Sequence, residues 1–200
     1  MYLIFIIFLV ILIISQYKKI NKPIPENIEI LQFNNPDETK YEEFIESNQP
    51  CVFTNVLDNV VLTKKNISSY FDYYLPNFTM TKSYEILQYN NGHETHLKKQ
   101  TNYRSFIYQI KGTQKIILFA PKEEQYLYLD KTRNFSNVNF WNYNGLIYPL
   151  FNKSSYLEIV LRPRQMLIIP YNWWYTSKSD TVNNSLILKS ETVFSKFLKK

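Results

Sequence analysis

Three glycines, one alanine and one cysteine in 200 residues narrow the reading before any motif is considered. A phosphate-cradling loop needs several glycines to bring backbone N–H groups against its ligand, so a P-loop or other glycine-rich nucleotide cradle is excluded. The lone Cys51 excludes an intrachain disulfide and a multi-cysteine zinc site. It lies in an apolar stretch with no base beside it, which reads as inert core rather than as a nucleophile. Only two histidines, His93 and His96, are available for imidazole chemistry. No internal repeat and no low-complexity segment is present.

What is there suffices for a folded domain, since 45% of the chain is hydrophobic and 17% aromatic. The bias towards Asn, Ile, Lys and Tyr is what AT-rich codons produce, so counts of polar residues carry little functional weight. The net charge of +6 comes from scattered lysines apart from the doublets Lys18-Lys19, Lys64-Lys65, Lys98-Lys99 and Lys199-Lys200. That pattern reads as a solvated basic surface, and no nucleic-acid partner is expected.

Tyr2 to Ile14 is an unbroken apolar run, continued by Ser15, Gln16 and Tyr17 and closed by Lys18, Lys19 and Lys22. Residues 1–17 read as a minimal single-pass membrane anchor: at ~1.5 Å per residue they reach roughly 25 Å, against a hydrocarbon layer of roughly 30 Å. A cleaved signal peptide is the rival, disfavoured because no basic region precedes the run and no small-x-small site follows it. The lysines behind the run place the domain on the cytoplasmic side, and the free Cys51 agrees. Five Asn-x-Ser/Thr sequons, at Asn66, Asn77, Asn134, Asn152 and Asn183, argue for a secretory lumen instead, although an Asn-rich chain produces them by chance.

Residues 18–27 (KKINKPIPEN) read as a tether, 28–193 as the folded domain and 194–200 as a basic tail. Short helices are predicted over Asp37 to Ser47 and Ser68 to Tyr74, and a buried strand over Pro50 to Val56. From Tyr84 onward come strand-length apolar runs: Tyr84 to Tyr89, Arg104 to Ile110, Lys115 to Phe119, Tyr156 to Leu161, Gln165 to Ile169 and Asn184 to Lys189. Turn residues such as Asn90-Asn91-Gly92, Lys111-Gly112 and Arg162-Pro163 bound them. Many short strands without intervening helices predict an all-β fold, a sandwich or barrel, with a jelly roll suiting the spacing.

A particular family is suggested by the order of PCVFTNV at 50–56, FIYQIKG at 106–112, ILFAP at 117–121, YLY at 126–128, YPLF at 148–151, LRPRQMLIIP at 161–170 and Trp173-Trp174. This succession resembles the cupin-like JmjC domains related to the asparaginyl hydroxylase that acts on hypoxia-inducible factor. The resemblance spans roughly residues 28–193. It implies a double-stranded β-helix, whose enzymes use Fe(II) and 2-oxoglutarate to hydroxylate or demethylate protein side chains. The composition, anchor and minimal barrel are also similar to cupin-like proteins of large DNA viruses, which implies a virion or internal host membrane.

Such chemistry needs two histidines and a carboxylate on one face of the iron. The family writes them as His-x-Asp/Glu shortly before the Gln-x-x-Gly turn, with a second histidine after the Trp-Trp pair. Counting back from Gln109 by the family spacing reaches Lys99 and Thr101, and Tyr175 follows Trp174. A lysine ammonium has no lone pair and repels Fe(II). The family's co-substrate lysine corresponds to Gln114, and the adjacent Lys115 points to the opposite face of the strand. Lys99, Thr101, Gln114 and Tyr175 are therefore read as a vestigial pocket. His93, Glu94 and His96 offer an alternative His-Glu-x-His cluster, but on a strand the two histidines face opposite ways, and they read as exposed residues. Trp173 and Trp174 read as wall and core. Phe140, Trp141 and Tyr143, in the connection from Asp130 to Lys153 where related domains place substrate loops, are the candidate partner surface.

The expectation is a membrane-anchored, catalytically inactive cupin-like domain that binds or scaffolds an unidentified protein and needs no cofactor. The alternatives are an iron oxygenase with displaced ligands, using Fe(II) and 2-oxoglutarate, and a metal-free binder of small anions.

Overall fold

A computed structural model describes residues 2–20, 23–25, 27–34, 48–56, 75, 79–192, 195 and 196. Within these are one helix, α1 (Tyr2–Ile20), and ten strands: β1 (Leu31–Asn34), β2 (Cys51–Thr54), β3 (Thr79–Tyr89), β4 (Lys98–Lys99), β5 (Arg104–Lys111), β6 (Gln114–Phe119), β7 (Leu157–Leu161), β8 (Gln165–Pro170), β9 (Trp174–Ser179) and β10 (Asn183–Thr192). Short 3-10 turns occur at Pro121–Tyr126, Phe140–Asn142 and Pro149–Lys153. The helices predicted over residues 37–47 and 68–74 lie outside the described residues.

The strands form two sheets, one of six in the order β1-β2-β8-β5-β10-β3 and one of four in the order β4-β9-β6-β7. All described pairings are antiparallel except β1 with β2. From β3 to β10 the chain changes sheets at every step except β6 to β7, so most strands lie against neighbours distant in sequence. This mostly-β architecture of two facing sheets is that of a jelly roll.

The predicted apolar runs are continuous rather than alternating because both faces of the central strands are covered. In the larger sheet, Val52, Ile107, Leu167, Ile169 and Ile187 point between the sheets, while Cys51, Phe53, Phe106, Tyr108, Met166, Ile168, Leu186 and Leu188 form a second core on the outer face. In the smaller sheet Ile116, Leu118, Trp173 and Tyr175 belong to the inner core, and Ile117, Phe119 and Trp174 to an outer core closed by Leu97, Leu127, Val138 and Phe151. Both tryptophans are fully buried, Trp173 donating to Asn48 O at 3.1 Å. Cys51 is buried too, and burial pushes its thiol up to about 12, which leaves it protonated and unreactive.

The Gln-x-x-Gly turn joining β5 to β6 has a clear physical basis. Gly112 has φ +74°, and a Cβ there would stand 2.5 Å from Val182 O. Gln109 clamps the same turn, its Nε2 donating to Lys111 O at 2.8 Å and to Gly112 O at 3.2 Å. Ser185 on β10 donates to the other end of that amide at 2.9 Å.

The amino-terminal expectation needs correction. Tyr2–Ile20 is helical, and its apolar side chains from Tyr2 to Ile14 are exposed. Yet among the described residues no helix is long and apolar enough to cross a membrane. The unbroken apolar part covers only residues 2–14, which at ~1.5 Å per residue is roughly 20 Å against the roughly 30 Å needed. Polar Ser15 and Gln16 and the lysine pair complete the helix. The single-pass anchor, and the location deduced from it, are withdrawn. The helix also continues to Ile20, taking in residues assigned to the tether. Of the sequons, Asn134 and Asn152 are exposed, whereas Asn183 is fully buried with its Nδ2 bonded to Ser179 Oγ at 2.8 Å. Asn66 and Asn77 lie outside the described residues.

Candidate functional site

The inter-sheet space is polar at the end where β4 meets β9. Cross-strand partners share a face of a sheet, and the register pairs Lys98 with Tyr175 and Lys99 with Trp174. Tyr175 belongs to the inner core and Trp174 to the outer one. Lys98 therefore faces inward and Lys99 outward. Their contacts agree: the Lys98 ammonium lies over the Tyr175 ring at 5.2 Å, and that of Lys99 lies over Trp174 at 5.7 Å.

Lys99 is occupied on the outside, its Nζ 2.7 Å from Glu124 Oε2. Glu124 also receives Arg133 Nη2 at 3.1 Å and Trp174 Nε1 at 3.4 Å. Burial would raise the Glu124 carboxyl, but the hydrogen bond and charge of Lys99, followed by the bonds from Arg133 and Trp174, hold it below the usual carboxylate range. Lys99 is thus part of a structural ion network and does not line the interior with Gln114 and Tyr175.

The alternation continues into the next residues. Gln100 N–H donates to Trp173 O at 2.7 Å, opposing it to an inner-core side chain, so the inward positions are Lys98 and Gln100. The count back from Gln109 reaches Lys99 and Thr101, whereas the register turns Lys98 and Gln100 inward. A signal was present in the sequence. Leu97 is the one apolar residue between His93 and Gln100, and as a buried member of the outer core it fixes Lys99 on its own face.

Gln114 and Tyr175 do share the interior, since β6 and β9 pair Gln114 with Ser179 and Leu118 with Tyr175. Lys115 points out, its Nζ 2.9 Å from Glu158 Oε1. From the larger sheet Ser105 faces inward beside Ile169 and Lys189, with which it is in register. Lys189 lies 3.6 Å from Glu85. Burial pushes the Tyr175 hydroxyl well above the ordinary phenol range, with Tyr89 and Glu85 adding to the effect. Burial likewise lowers Lys98, helped by Lys189 and opposed by Glu85.

His93, Glu94 and His96 do not converge. His93 stacks on Tyr89 with ring centroids 4.2 Å apart, Glu94 binds Lys178 at 2.8 Å, and both histidines are exposed. Among the described residues no group of three or more His, Cys, Asp or Glu could hold a metal.

The aromatic connection after β6 is docked rather than projecting. Phe140 packs edge-on against Phe119 at 5.9 Å and Tyr156 at 5.1 Å, Trp141 Nε1 donates to Thr176 Oγ1 at 3.0 Å, and Tyr143 OH donates to Asn152 Oδ1 at 3.0 Å. The large apolar side chains this segment leaves exposed are Phe135, Tyr143, Leu146, Ile147 and Leu150, with Leu146 93% exposed. A cavity of ≈ 360 Å³ lies against the inner core at Leu118, Leu157 and Trp173, but its buried Glu123 is already bound to Ser155 N–H at 3.0 Å.

The model of the cupin-like domain matches residues 90–190, which takes in β4 to β10 and both faces of this interior. The chain is 33% identical over 76 residues to the human tRNA wybutosine-synthesizing protein 5, covering 38% of this chain and 24% of that protein. It is 35% identical over 79 residues to JmjC domain-containing protein D of Dictyostelium discoideum, covering 38% of this chain and 18% of that protein. To the lysine-specific demethylase 8 of Danio rerio it is 33% identical over 79 residues, 38% of this chain and 20% of that protein. The chain thus matches a quarter or less of the length of these relatives. With the sheet order, the Gln-x-x-Gly turn and the buried tryptophan pair, these matches establish that the chain belongs to the cupin-like domain family, in its JmjC-type branch.

Proposed function

We propose that this chain uses the cupin-like fold for binding, as a catalytically inactive scaffold or assembly domain, and not for iron-dependent oxidation. The observation that carries this reading is the identity of the inward positions at the junction of β4 and β9: Lys98, Gln100 and Tyr175. The family resemblance implies Fe(II) and 2-oxoglutarate held by two histidines and a carboxylate. The residues present do not fit that group. A lysine ammonium carries a positive charge and no lone pair; the phenol of Tyr175 is held protonated by burial; and the Gln100 amide is a weak, neutral donor set for Fe(II). The conclusion is independent of register, because Lys99 and Thr101 are no better ligands than Lys98 and Gln100. Gln114, at the family's co-substrate position, carries no charge to meet a carboxylate. The relatives' names speak of tRNA modification and lysine demethylation, and nothing in this donor set supports either reaction here.

A binding role needs a surface, and the exposed apolar patch of Leu146, Ile147 and Leu150 on the connection between β6 and β7 is our proposed face for a protein partner.

The test is the thermal stability of the full chain, under anaerobic conditions, with Mn(II) or Fe(II), with 2-oxoglutarate and with both. A ligand that binds the folded state at a hundred times its dissociation constant stabilises it by roughly 2.7 kcal/mol. No metal-dependent shift is expected. A shift that requires metal and 2-oxoglutarate together contradicts the proposal and restores an oxygenase with displaced ligands.

A further inference from the structure

We infer that the interior at the β4–β9 junction is a site for a small oxyanion, a carboxylate or phosphate group, held by Lys98 with Gln100 and Ser105. The inference rests on the metal-free reading above and goes beyond it by assigning the ligand class and the residues that take it.

Three observations converge. Gln100 Nε2 and Ser105 Oγ are buried atoms without a hydrogen-bond partner, in residues only 2% and 1% exposed. Buried polar groups are satisfied in the great majority of folded proteins, so two orphans on facing sheets mark a place where something polar is bound. Both side chains are set towards the inter-sheet space by register, Gln100 opposite Trp173 and Ser105 beside Ile169 and Lys189.

The second observation is charge. Lys98 makes neither an ion pair nor a side-chain hydrogen bond among the described residues; its contact is with the face of the Tyr175 ring. The other charged groups felt there are Lys189 and Glu85, 3.6 Å from each other. Two lysines against one glutamate leave one uncompensated positive charge, and Tyr175 stays neutral. A half-buried ammonium without a counter-ion is costly, and an anion removes that cost.

The third is chemical type. Lysine, a primary amide N–H and a serine O–H can all donate to an anion, whereas a bound cation would find the ammonium first. The inward side of the β4–β9 junction carries the Lys98 ammonium, which favours a ligand of negative charge in this interior.

The experiment titrates the full chain with acetate, inorganic phosphate and chloride at constant ionic strength, following thermal stability, and repeats it on Lys98→Met, Ser105→Ala and Lys99→Met. The wild type is expected to show a saturable stabilisation by acetate or phosphate that chloride does not reproduce. Lys98→Met should weaken it by roughly tenfold or more and Ser105→Ala by a smaller factor, as losses of charged and neutral donors. Lys99→Met, altered on the outer face, should leave it unchanged. Absence of a saturable shift, an equal shift with chloride, or a shift that survives Lys98→Met each overturns the inference. None of these outcomes touches the metal-free reading, which fails only if added Mn(II) or Fe(II) binds.

Discussion

Two adjacent lysines have opposite fates here, and the difference is one of parity. Lys99 sits on the outer face in a network with Glu124, Arg133 and Trp174, while Lys98 sits inside over Tyr175 without a counter-charge. Lys99→Met should therefore destabilise the domain by about 1 kcal/mol, since Glu124 keeps Arg133 but loses its shorter bond in a partly shielded setting; chemical denaturation of the variant measures it. Lys98→Met should do the reverse at neutral pH and raise the melting temperature in anion-free buffer, because the fold disfavours the Lys98 charge. The pH dependence follows from the directions of the shifts. The Glu124 carboxyl is held below its ordinary value of 4.5, so its contribution is fully present above that pH and is lost as the pH falls through the lower folded value. A melting curve taken across that range should lose less stability in Glu124→Gln than in the wild type. Gly112→Ala should cost at least about 2 kcal/mol, as it combines a left-handed backbone with a Cβ 2.5 Å from Val182 O; a variant as stable as the parent would show that the turn is not as tight as described.

At the scale of elements, the strands were readable because covered strands advertise themselves as apolar runs. Four of the six runs predicted from Tyr84 onward coincide with strands to within one residue at either end, while β3 begins five residues before its predicted start, at Thr79, and β10 runs three residues past its predicted end, to Thr192. What escaped was β4. It is two residues long, Lys98–Lys99, and owes its existence to β9 rather than to any propensity of its own. Its register is set by pairing with β9 and not by the distance to the Gln-x-x-Gly turn, and a shift of a single residue reverses every side chain on a strand. β9 is not among the predicted runs, since its Thr, Ser and Lys residues carry no apolar run. Of the three aromatic residues in the long connection, Phe140 and Trp141 pack on the outer core of the smaller sheet, while Tyr143 stays exposed near Leu146 and Ile147. Trp141→Phe, which removes the bond to Thr176 Oγ1, is expected to cost about 1 kcal/mol without unfolding the domain.

For the whole molecule, the two-sheet fold was legible from the order of short motifs, because each marks a turn or buried pair that the double-sheet topology requires. The anchor expected over residues 1–17 includes polar Ser15 and Gln16, while the apolar part alone decides whether lipid can hold the helix. We propose that the interior holds the Lys98 ammonium where the family resemblance implies a metal. Electron paramagnetic resonance of Mn(II) titrated anaerobically into the full chain, with and without 2-oxoglutarate, tests it most directly, since the signal of the hydrated ion vanishes when protein ligands replace water. The account predicts that the free-ion signal stays undiminished at equimolar protein in both series. Stoichiometric loss of that signal, deepened by 2-oxoglutarate, would contradict it.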